Sequence, residues 1–249
     1  MSFALDSHRA FSLCDAPETG ALDARHDENL LALAAEYGPS AMIWRASQSL
    51  VVPRTYRRFT EFDAVCQEFE HNGWPIIVRQ TGGGIVPQGP GILNVSLAYS
   101  VHGPAMRHSE PGYLLICDVV ANALAALGVK AYPSPVAASF CDGRYNLAVT
   151  HHGTAVKIAG TAQMWKRLPD SPDTHVGLVH ALVLVDTDSP ALTHVINAFE
   201  TKVGNDRRYS VSSVVSVGEH LNRVGEAALE SDFIEALKEA IRNARIPVV

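Results

Sequence analysis

The spacing of apolar and polar residues along the 249-residue chain switches repeatedly between a helical period and a strand period. Helical spacing, closed by capping residues and glycines, predicts five helices. They cover residues 23–36, 60–72, 112–127, 189–200 and 231–245. Strand-type runs cover 41–46, 49–53, 75–79, 85–87, 92–100, 129–132, 145–150, 154–165 and 175–186. The strands follow one another with helices between them, which predicts an α+β fold. We expect a single domain over residues 1–249, with a mixed, mostly antiparallel β-sheet flanked by helices.

Three successive glycines, Gly82 to Gly84, follow the strand that ends at Arg79. Glycines in this position permit a tight turn and the close approach of the backbone to a ligand. The segment is neither a phosphate-binding P-loop nor a dinucleotide-binding turn, because the P-loop pattern is absent and a strand follows in place of a helix. The pattern therefore predicts a sheet that bends around a bound molecule.

Composition excludes several classes of partner. The formal net charge is −6, apolar residues make up 47% of the chain, and no run of Lys or Arg is longer than two. A nucleic-acid or membrane-surface footprint is therefore not expected. The first residues carry charges within them, and no apolar stretch reaches the length of a membrane span. We predict a cytoplasmic protein that binds neither nucleic acid nor membrane.

The candidate chemistry lies between Cys141 and Lys157. No pair of the four cysteines has a CxxC spacing, so neither a zinc site nor a redox dithiol is predicted. Cys141 precedes the turn-forming Asp142 and Gly143, which favours a loop that a substrate can reach. The short strands on either side of residues 151–153 have hairpin spacing, and a hairpin would fold Lys157 back towards Cys141.

An ammonium group near a cysteine favours the thiolate, which is the nucleophilic form. A reactive Cys141 with Lys157 as its electrostatic partner is one interpretation of this pair. The other is a buried, inert cysteine and a solvated lysine, because free cysteine is among the residue types most often buried.

Three motifs together resemble the catalytic domain of the biotin/lipoate protein ligase superfamily. They are RQTGGG at residues 79–84, GILNVSL at 91–97 and KIAGTAQ at 157–163. The order and separation of the motifs fit that superfamily, and the likeness covers about residues 20–225. The segment SFCDG at 139–143 is similar to the nucleophile loop of the cysteine-dependent lipoyl and octanoyl amidotransferases.

The resemblance implies an acyltransferase of protein lipoylation that moves an octanoyl or lipoyl group through a Cys141 acyl-enzyme to a lysine of a lipoyl domain. Lys157 would assist as a second catalytic residue. The implied partners are an acyl donor carrier protein and a lipoyl-domain or glycine-cleavage H-type acceptor protein, with no cofactor and no metal. The implied substrate-binding residues are Arg79, Thr81, Gly82, Gly83, Gly84, Asn94, Asn146, Gly160, Thr161, Ala162 and Gln163.

Two alternatives stay open at this stage. An ATP-dependent lipoate-protein ligase would use ATP and Mg²⁺, with Lys157 contacting an acyl-adenylate. A non-catalytic acyl- or biotin-binding module would need no nucleophile. Four positions depart from the family patterns: Gly84 is the ligase-like choice, Gln88 replaces a common His, Asn146 replaces an acidic residue, and Val176 precedes Gly177 where His is frequent. The chain also ends soon after the domain, whereas many lipoate ligases carry a further C-terminal domain.

Overall fold

The computed structural model describes residues 10–16, 25–79 and 83–249. The strands are β1 Ser12–Cys14, β2 Ser40–Trp44, β3 Ser49–Pro53, β4 Ile76–Arg79, β5 Val86–Gln88, β6 Ile92–His102, β7 Ala131–Pro133, β8 Leu147–His151, β9 Thr154–Leu168 and β10 Ser171–Leu184. The α-helices are α1 Leu30–Tyr37, α2 Phe62–His71, α3 Ala105–Ala126, α4 Ser189–Lys202, α5 Val217–Leu221 and α6 Ala227–Asn243. A 3-10 turn, His26–Asn29, leads into α1.

The described strands form two sheets. Seven strands pair in the order β1-β2-β6-β10-β9-β8-β7, and three pair in the order β4-β3-β5. The β1–β2 and β3–β4 pairs are parallel, and the remaining pairs are antiparallel. The predicted α+β class with mixed, mostly antiparallel strands flanked by helices is confirmed, although the strands divide between two sheets and do not form one.

Alternation along β6 and β10 sorts the core into two layers, because successive side chains of a strand point to opposite faces. Leu93, Val95 and Leu97 pack with Val179 and Ala181 in the cluster that also buries α3 and α6. On the other face, a second cluster joins β6 and β10 to the three-stranded sheet, α2 and α4. The space between the two sheets is therefore walled by β9 and β10 on one side and by β3 and β5 on the other.

Helix α3 begins at Ala105, about two turns before the predicted start at residue 112, and Pro111 lies inside it. Proline lacks the N–H that would bond the carbonyl of Arg107, so a helix start at this point was the simpler expectation. The helix instead packs closely on the sheet here. A Cβ at Gly112 would lie 3.0 Å from the Val179 side chain.

The C-terminal region differs in two further details. Helix α6 begins at Ala227, before the predicted start at residue 231, and the hydroxyl of Ser231 donates to the Ala228 carbonyl within the helix. The short helix α5 was not predicted. Its sequence signal is a capping box, in which Ser216 and Glu219 exchange hydrogen bonds between side chain and backbone.

The turn before β6 supplies a stability test. Gly91 has φ +73°, and an added Cβ would lie 2.0 Å from the Asp186 carbonyl oxygen; Gly103 has φ +87° and open space around it. We expect Gly103→Ala to cost about 1–2 kcal/mol from the left-handed backbone alone. Gly91→Ala should cost about 2 kcal/mol or more beyond that, because backbone must move. Urea unfolding of both variants measures the difference, and equal losses would contradict the close contact.

Candidate active site

Cys141 lies in the loop between β7 and β8, in a strained backbone conformation. Its φ is 49°, and that of Ala138 is 60°. L-residues pay about 1–2 kcal/mol for this left-handed region, so the surrounding structure must hold them there. The Ser210 N–H donates to the Ala138 carbonyl at 2.8 Å, and the Val136 N–H donates to the Asp142 carboxylate at 3.1 Å. Backbone strain at a cysteine, held by bonds on both sides, is a feature of functional loops.

Lys157 of β9 ties this loop to the large sheet. Its side chain is buried, and its Nζ donates to the carbonyl of Phe140 at 2.7 Å and to the carbonyl of Cys141 at 3.2 Å. The amine also lies 5.0 Å from the centre of the Phe140 ring. An ammonium has three donors, so one N–H is left for a substrate.

The pKa of Lys157 is lowered to about 8, mainly by burial, and the positive charge of Arg79 acts in the same direction. The negative charges of Cys141 and Asp142 act in the opposite direction, although burial is the largest cause. The amine is therefore still mostly charged at neutral pH and loses its proton within the mildly alkaline range.

The Cys141 sulfur is contacted by Gly84 and by Arg79. The Gly84 N–H donates to Sγ at 3.3 Å, the Arg79 Nη2 lies 4.0 Å from Sγ, and the same Nη2 donates to the Gly84 carbonyl at 2.6 Å. A Cβ at Gly83 would lie 3.0 Å from Sγ, which explains why glycine stands there. One interpretation of the sequence had the Lys157 amine acting on the sulfur directly as its electrostatic partner. The structure instead places that amine on the carbonyl of the same residue.

Cys141 and Lys157 line a cavity of about 300 Å³ between the two sheets. Of the predicted binding residues, the lining includes Arg79, Gly83, Gly160, Thr161, Ala162 and Gln163. Sequence reasoning missed other lining residues: Val51, Val86, Gln88, Tyr113, Phe140, Asp142, Gly143, His180 and Leu182. Most of these are ordinary strand or loop positions, and only the folded arrangement of the two sheets brings them together.

Two predicted binding residues stand behind the cavity wall. The buried amides of Asn94 and Gln88 donate to each other at 2.9 and 3.0 Å, so Asn94 supports the lining residue Gln88. Asn146 is buried and donates to the Cys141 carbonyl at 3.5 Å, so it supports the loop. Gly84 faces a second cavity. Thr81 and Gly82 lie outside the described residues.

The side chains of two lining residues on β9 are fixed by hydrogen bonds. The Thr161 hydroxyl donates to the Tyr145 carbonyl at 2.8 Å. The Gln163 amide donates to the Ser109 hydroxyl and accepts from the Trp165 indole at 2.9 Å. These side chains are therefore held in place before any substrate binds.

A buried polar network reaches the cavity at His180, on β10. The Asp27 carboxylate accepts from the Ser96 hydroxyl at 2.7 Å and lies 3.1 Å from Nδ1 of His180. The Trp44 indole donates to the Ser96 hydroxyl at 3.0 Å. The available sequence signal was a single histidine in the apolar run of β10, opposite the polar face of β6.

A second cavity, of about 460 Å³, opens on the other side of Cys141. Its lining includes Gly84, Asp142, Arg207 and Arg208, and Cys141 itself lines both cavities. The Arg207 guanidinium lies close to Gly84: a Cβ added at Gly84 would be 3.4 Å from the Nη1 of Arg207. The thiol therefore stands at the junction of a narrow inter-sheet cavity and a more polar, arginine-lined one.

Within residues 10–16, 25–79 and 83–249, no group of three or more His, Cys, Asp or Glu side chains is arranged to hold a metal ion. Over the same ranges, no helix has the length and apolar content that crossing a bilayer requires.

The chain matches the model of the lipoyl protein ligase A/B catalytic domain over residues 21–242, and it belongs to that family. It is 43% identical over 250 residues to an uncharacterized protein of Cupriavidus necator, covering 95% of this chain and 99% of that protein. It is 33% identical over 185 residues to an octanoyl-[GcvH]:protein N-octanoyltransferase of Kyrpidia tusciae, covering 72% of this chain and 61% of that enzyme.

Solved structures show the same fold. A lipoate-protein ligase A bound with ATP aligns with a TM-score of 0.64 and 20% identity, covering 94% of this chain and 86% of that one. A putative lipoate protein ligase of Thermoplasma acidophilum aligns with a TM-score of 0.61 and 20% identity, covering 95% and 85%. The predicted superfamily is confirmed, and the family and relatives support an enzyme of protein lipoylation.

The buried amine predicts a pH-dependent stability. Because the folded-state pKa of Lys157, about 8, lies below its ordinary value of 10.5, the native state binds fewer protons between these values. The burial penalty is therefore complete below pH 8 and disappears as the pH rises towards 10.5. Relative to Lys157→Met, the wild-type free energy of unfolding should rise by about 3 kcal/mol across this window.

Urea unfolding of wild type and Lys157→Met at several pH values between 7 and 10.5 measures this difference in the free energy of unfolding. The contributions of the other titrating groups cancel, because both proteins contain them. Lys166→Met is the matched control, because the Lys166 side chain is 53% exposed. Its difference from wild type should stay flat. If the Lys157→Met difference were equally flat, the Lys157 amine would not carry the burial penalty.

Proposed function

We propose that the protein is an acyltransferase of protein lipoylation that works through a thioester on Cys141. It moves an octanoyl or lipoyl group from an acyl carrier protein or acylated lipoyl domain to a lysine of another lipoyl domain. The observation that carries this proposal is the Cys141 thiol at the junction of two cavities, held by the Gly84 N–H beside the Arg79 guanidinium.

In the first step the Cys141 thiolate attacks the carbonyl carbon of the donor thioester or amide, and a new carbon–sulfur bond forms. The leaving thiol or amine of the donor takes up, in balance, the proton that the Cys141 thiol lost, as its bond to the carbonyl breaks. Negative charge develops on the carbonyl oxygen, and the remaining N–H of Lys157 is available to stabilise it. The acyl chain lies in the inter-sheet cavity, where each buried methylene contributes about 0.8 kcal/mol.

In the second step the neutral amine of the acceptor lysine attacks the Cys141 thioester. An amide bond forms, the carbon–sulfur bond breaks, and the sulfur recovers a proton as the amine loses one. The second cavity gives the acceptor a route to the thioester that the acyl chain does not fill. The sequence of steps needs no nucleotide and no metal.

The name of the Kyrpidia tusciae relative supports an octanoylated H-type protein as donor in that enzyme. A lipoyl domain is named together with the bipartite lipoate ligase of Thermoplasma acidophilum, a structural neighbour at 20% identity. The first name favours an octanoylated H-type protein as donor for this chain, and the second favours a lipoyl domain as acceptor. An acyl carrier protein as donor is part of the proposal.

An ATP-dependent lipoate ligase is the second candidate, favoured by Arg207 and Arg208 beside the glycine run, where phosphate groups would find two guanidiniums. ATP would supply the energy for acyl activation, and Lys157 would bind the activated acyl group. The thiol argues for the transferase, because a ligase has no use for a nucleophile at this junction.

The transferase proposal predicts a covalent acyl adduct. Incubated with an octanoyl or lipoyl thioester and no ATP, the wild-type chain should gain one acyl mass in intact-mass spectra. Cys141→Ala should gain none, and transfer to a lipoyl domain should fall at least about 10³-fold, since no other nucleophile replaces the thiolate.

Pyrophosphate exchange with lipoate or octanoate is the companion measurement. Robust exchange by wild type and by Cys141→Ala, without an adduct, would establish the ligase. Neither exchange nor an adduct, with acyl binding retained, would indicate a non-catalytic module.

The arginine-lined cavity predicts a separate effect on the acceptor step. Removing one guanidinium with Arg207→Ala should raise the KM for a lipoyl-domain acceptor roughly 3- to 10-fold, because charge at the edge of an interface speeds association. The fold-change in the acceptor KM should exceed the fold-change in the rate at which a small thioester acylates Cys141.

The matched control is Arg242→Ala, which removes one exposed arginine from α6. It changes the net charge equally but lies outside both cavities. If Arg207→Ala and Arg242→Ala changed the acceptor KM equally, the proposal that the acceptor approaches through the second cavity would be wrong.

A further inference from the structure

We propose that His180, held by the buried carboxylate of Asp27, is a polar subsite in the wall of the acyl cavity. It selects an acyl chain that carries a thiol near its sixth carbon, as a dihydrolipoyl chain does, over the unsubstituted octanoyl chain. This inference rests on the proposed function and names the acyl group that the site prefers.

His180 occupies a position that the strand pattern would give to an apolar residue. Leu178 and Leu182 lie on the same face of β10 and are both 4% exposed. A polar side chain between them is costly unless its nitrogens find partners. The Nδ1 of His180 is hydrogen-bonded to the Asp27 carboxylate, whereas its Nε2 has no hydrogen bond to any described residue. The side chain lines the cavity, and 26% of its surface is exposed.

The rest of the network fixes the imidazole in place. Asp27 is 3% exposed, and its carboxylate is shared by His180 and by the Ser96 hydroxyl, which the Trp44 indole holds in turn. A side chain with such supports cannot rotate away from the cavity without breaking buried hydrogen bonds. The free nitrogen is therefore presented to whatever fills the cavity.

Strand register gives the depth of this nitrogen along the acyl chain. A Cβ at Gly160 would lie 2.9 Å from the Lys157 amine, and Gly160 pairs with Leu182. His180 pairs with Ala162, two residues further along β9, which corresponds to about 7 Å. Each C–C bond of about 1.5 Å advances an extended, zigzag chain by about 1.3 Å, so this distance spans roughly five or six bonds from the carbonyl carbon.

A carbonyl placed at the Lys157 amine therefore brings the sixth and seventh carbons of its chain opposite His180. Lipoyl and dihydrolipoyl groups carry sulfur at the sixth and eighth carbons, and octanoyl carries only methylene and methyl groups there. Because the Asp27 carboxylate accepts from the Nδ1–H, Nε2 of the neutral ring is a hydrogen-bond acceptor, and a dihydrolipoyl thiol can donate to it. An octanoyl chain would remove water from Nε2 and return no partner, which costs free energy.

A competition experiment tests the preference. Equimolar dihydrolipoyl and octanoyl thioesters of one small thiol are mixed with the enzyme, and the initial ratio of the two Cys141 adducts is read by intact-mass spectrometry. Wild type should favour the dihydrolipoyl adduct by about tenfold or more, the scale expected when a polar site rejects an analogue that lacks its partner.

Three variants separate the possible roles of the ring. His180→Leu should bring the ratio to about one or reverse it, because an apolar wall suits octanoyl. Asp27→Asn should lower the ratio partly, by loosening the ring. His194→Leu, at an exposed position of α4, is the matched control and should leave the ratio as in wild type. Thermal unfolding checks that each variant is folded.

The outcomes are distinct. A ratio that is the same in wild type and His180→Leu overturns the proposal. An equal loss of both adducts in His180→Leu would assign the ring a general base role and also overturns it. If no adduct forms at all, the Cys141 reaction fails but the subsite does not. Calorimetric binding of free dihydrolipoate and octanoate to Cys141→Ala then decides, and equal affinities overturn the subsite.

Discussion

The site depends on one interaction, the pair of hydrogen bonds from the buried Lys157 amine to the carbonyls of Phe140 and Cys141. Burying an ammonium is costly unless polar groups replace its water. Here the loop supplies two carbonyl oxygens, with the negative charges of Cys141 and Asp142 close by. The same bonds hold Cys141 in its left-handed conformation, so the charge and the backbone strain support each other. A lysine at this position is therefore part of the loop's structure as well as a candidate for catalysis.

The glycine run completes the arrangement from the other side. Gly83 and Gly84 leave no side chain between the small sheet and Cys141, and the Gly84 N–H donates to the sulfur. With the amine on its carbonyl and the glycines at its sulfur, Cys141 is held by both sheets. The two cavities meet at this residue, because Cys141 lines the inter-sheet cavity on one side and the loop-lined cavity on the other. A nucleophile at such a junction can exchange two different partners without moving.

Much of this could be predicted from local patterns. The turn of the β8–β9 hairpin has His152 and Gly153 at positive φ, as the spacing indicated, and the glycine run and the Cys141 loop carry their signals in a few adjacent residues. The Asp27–His180 contact could not be predicted, because it joins residues 153 positions apart whose separate patterns indicate a helix start and a buried strand. The start of α3 was also hidden, because Pro111 normally marks a first turn and here lies within a helix that packs closely on the sheet.

The polar side chains of β6 show how this cavity differs from a purely apolar channel. Asn94 and Ser96 alternate with Leu93, Val95 and Leu97, so both polar residues lie on the cavity side of the large sheet. Each is paired inside the wall, Asn94 with Gln88 and Ser96 with Asp27. Paired groups add little to substrate recognition, because a ligand gains nothing by approaching atoms that are already bonded. Selectivity then falls to an atom at the cavity surface that still lacks a partner, which on β10 is the Nε2 of His180.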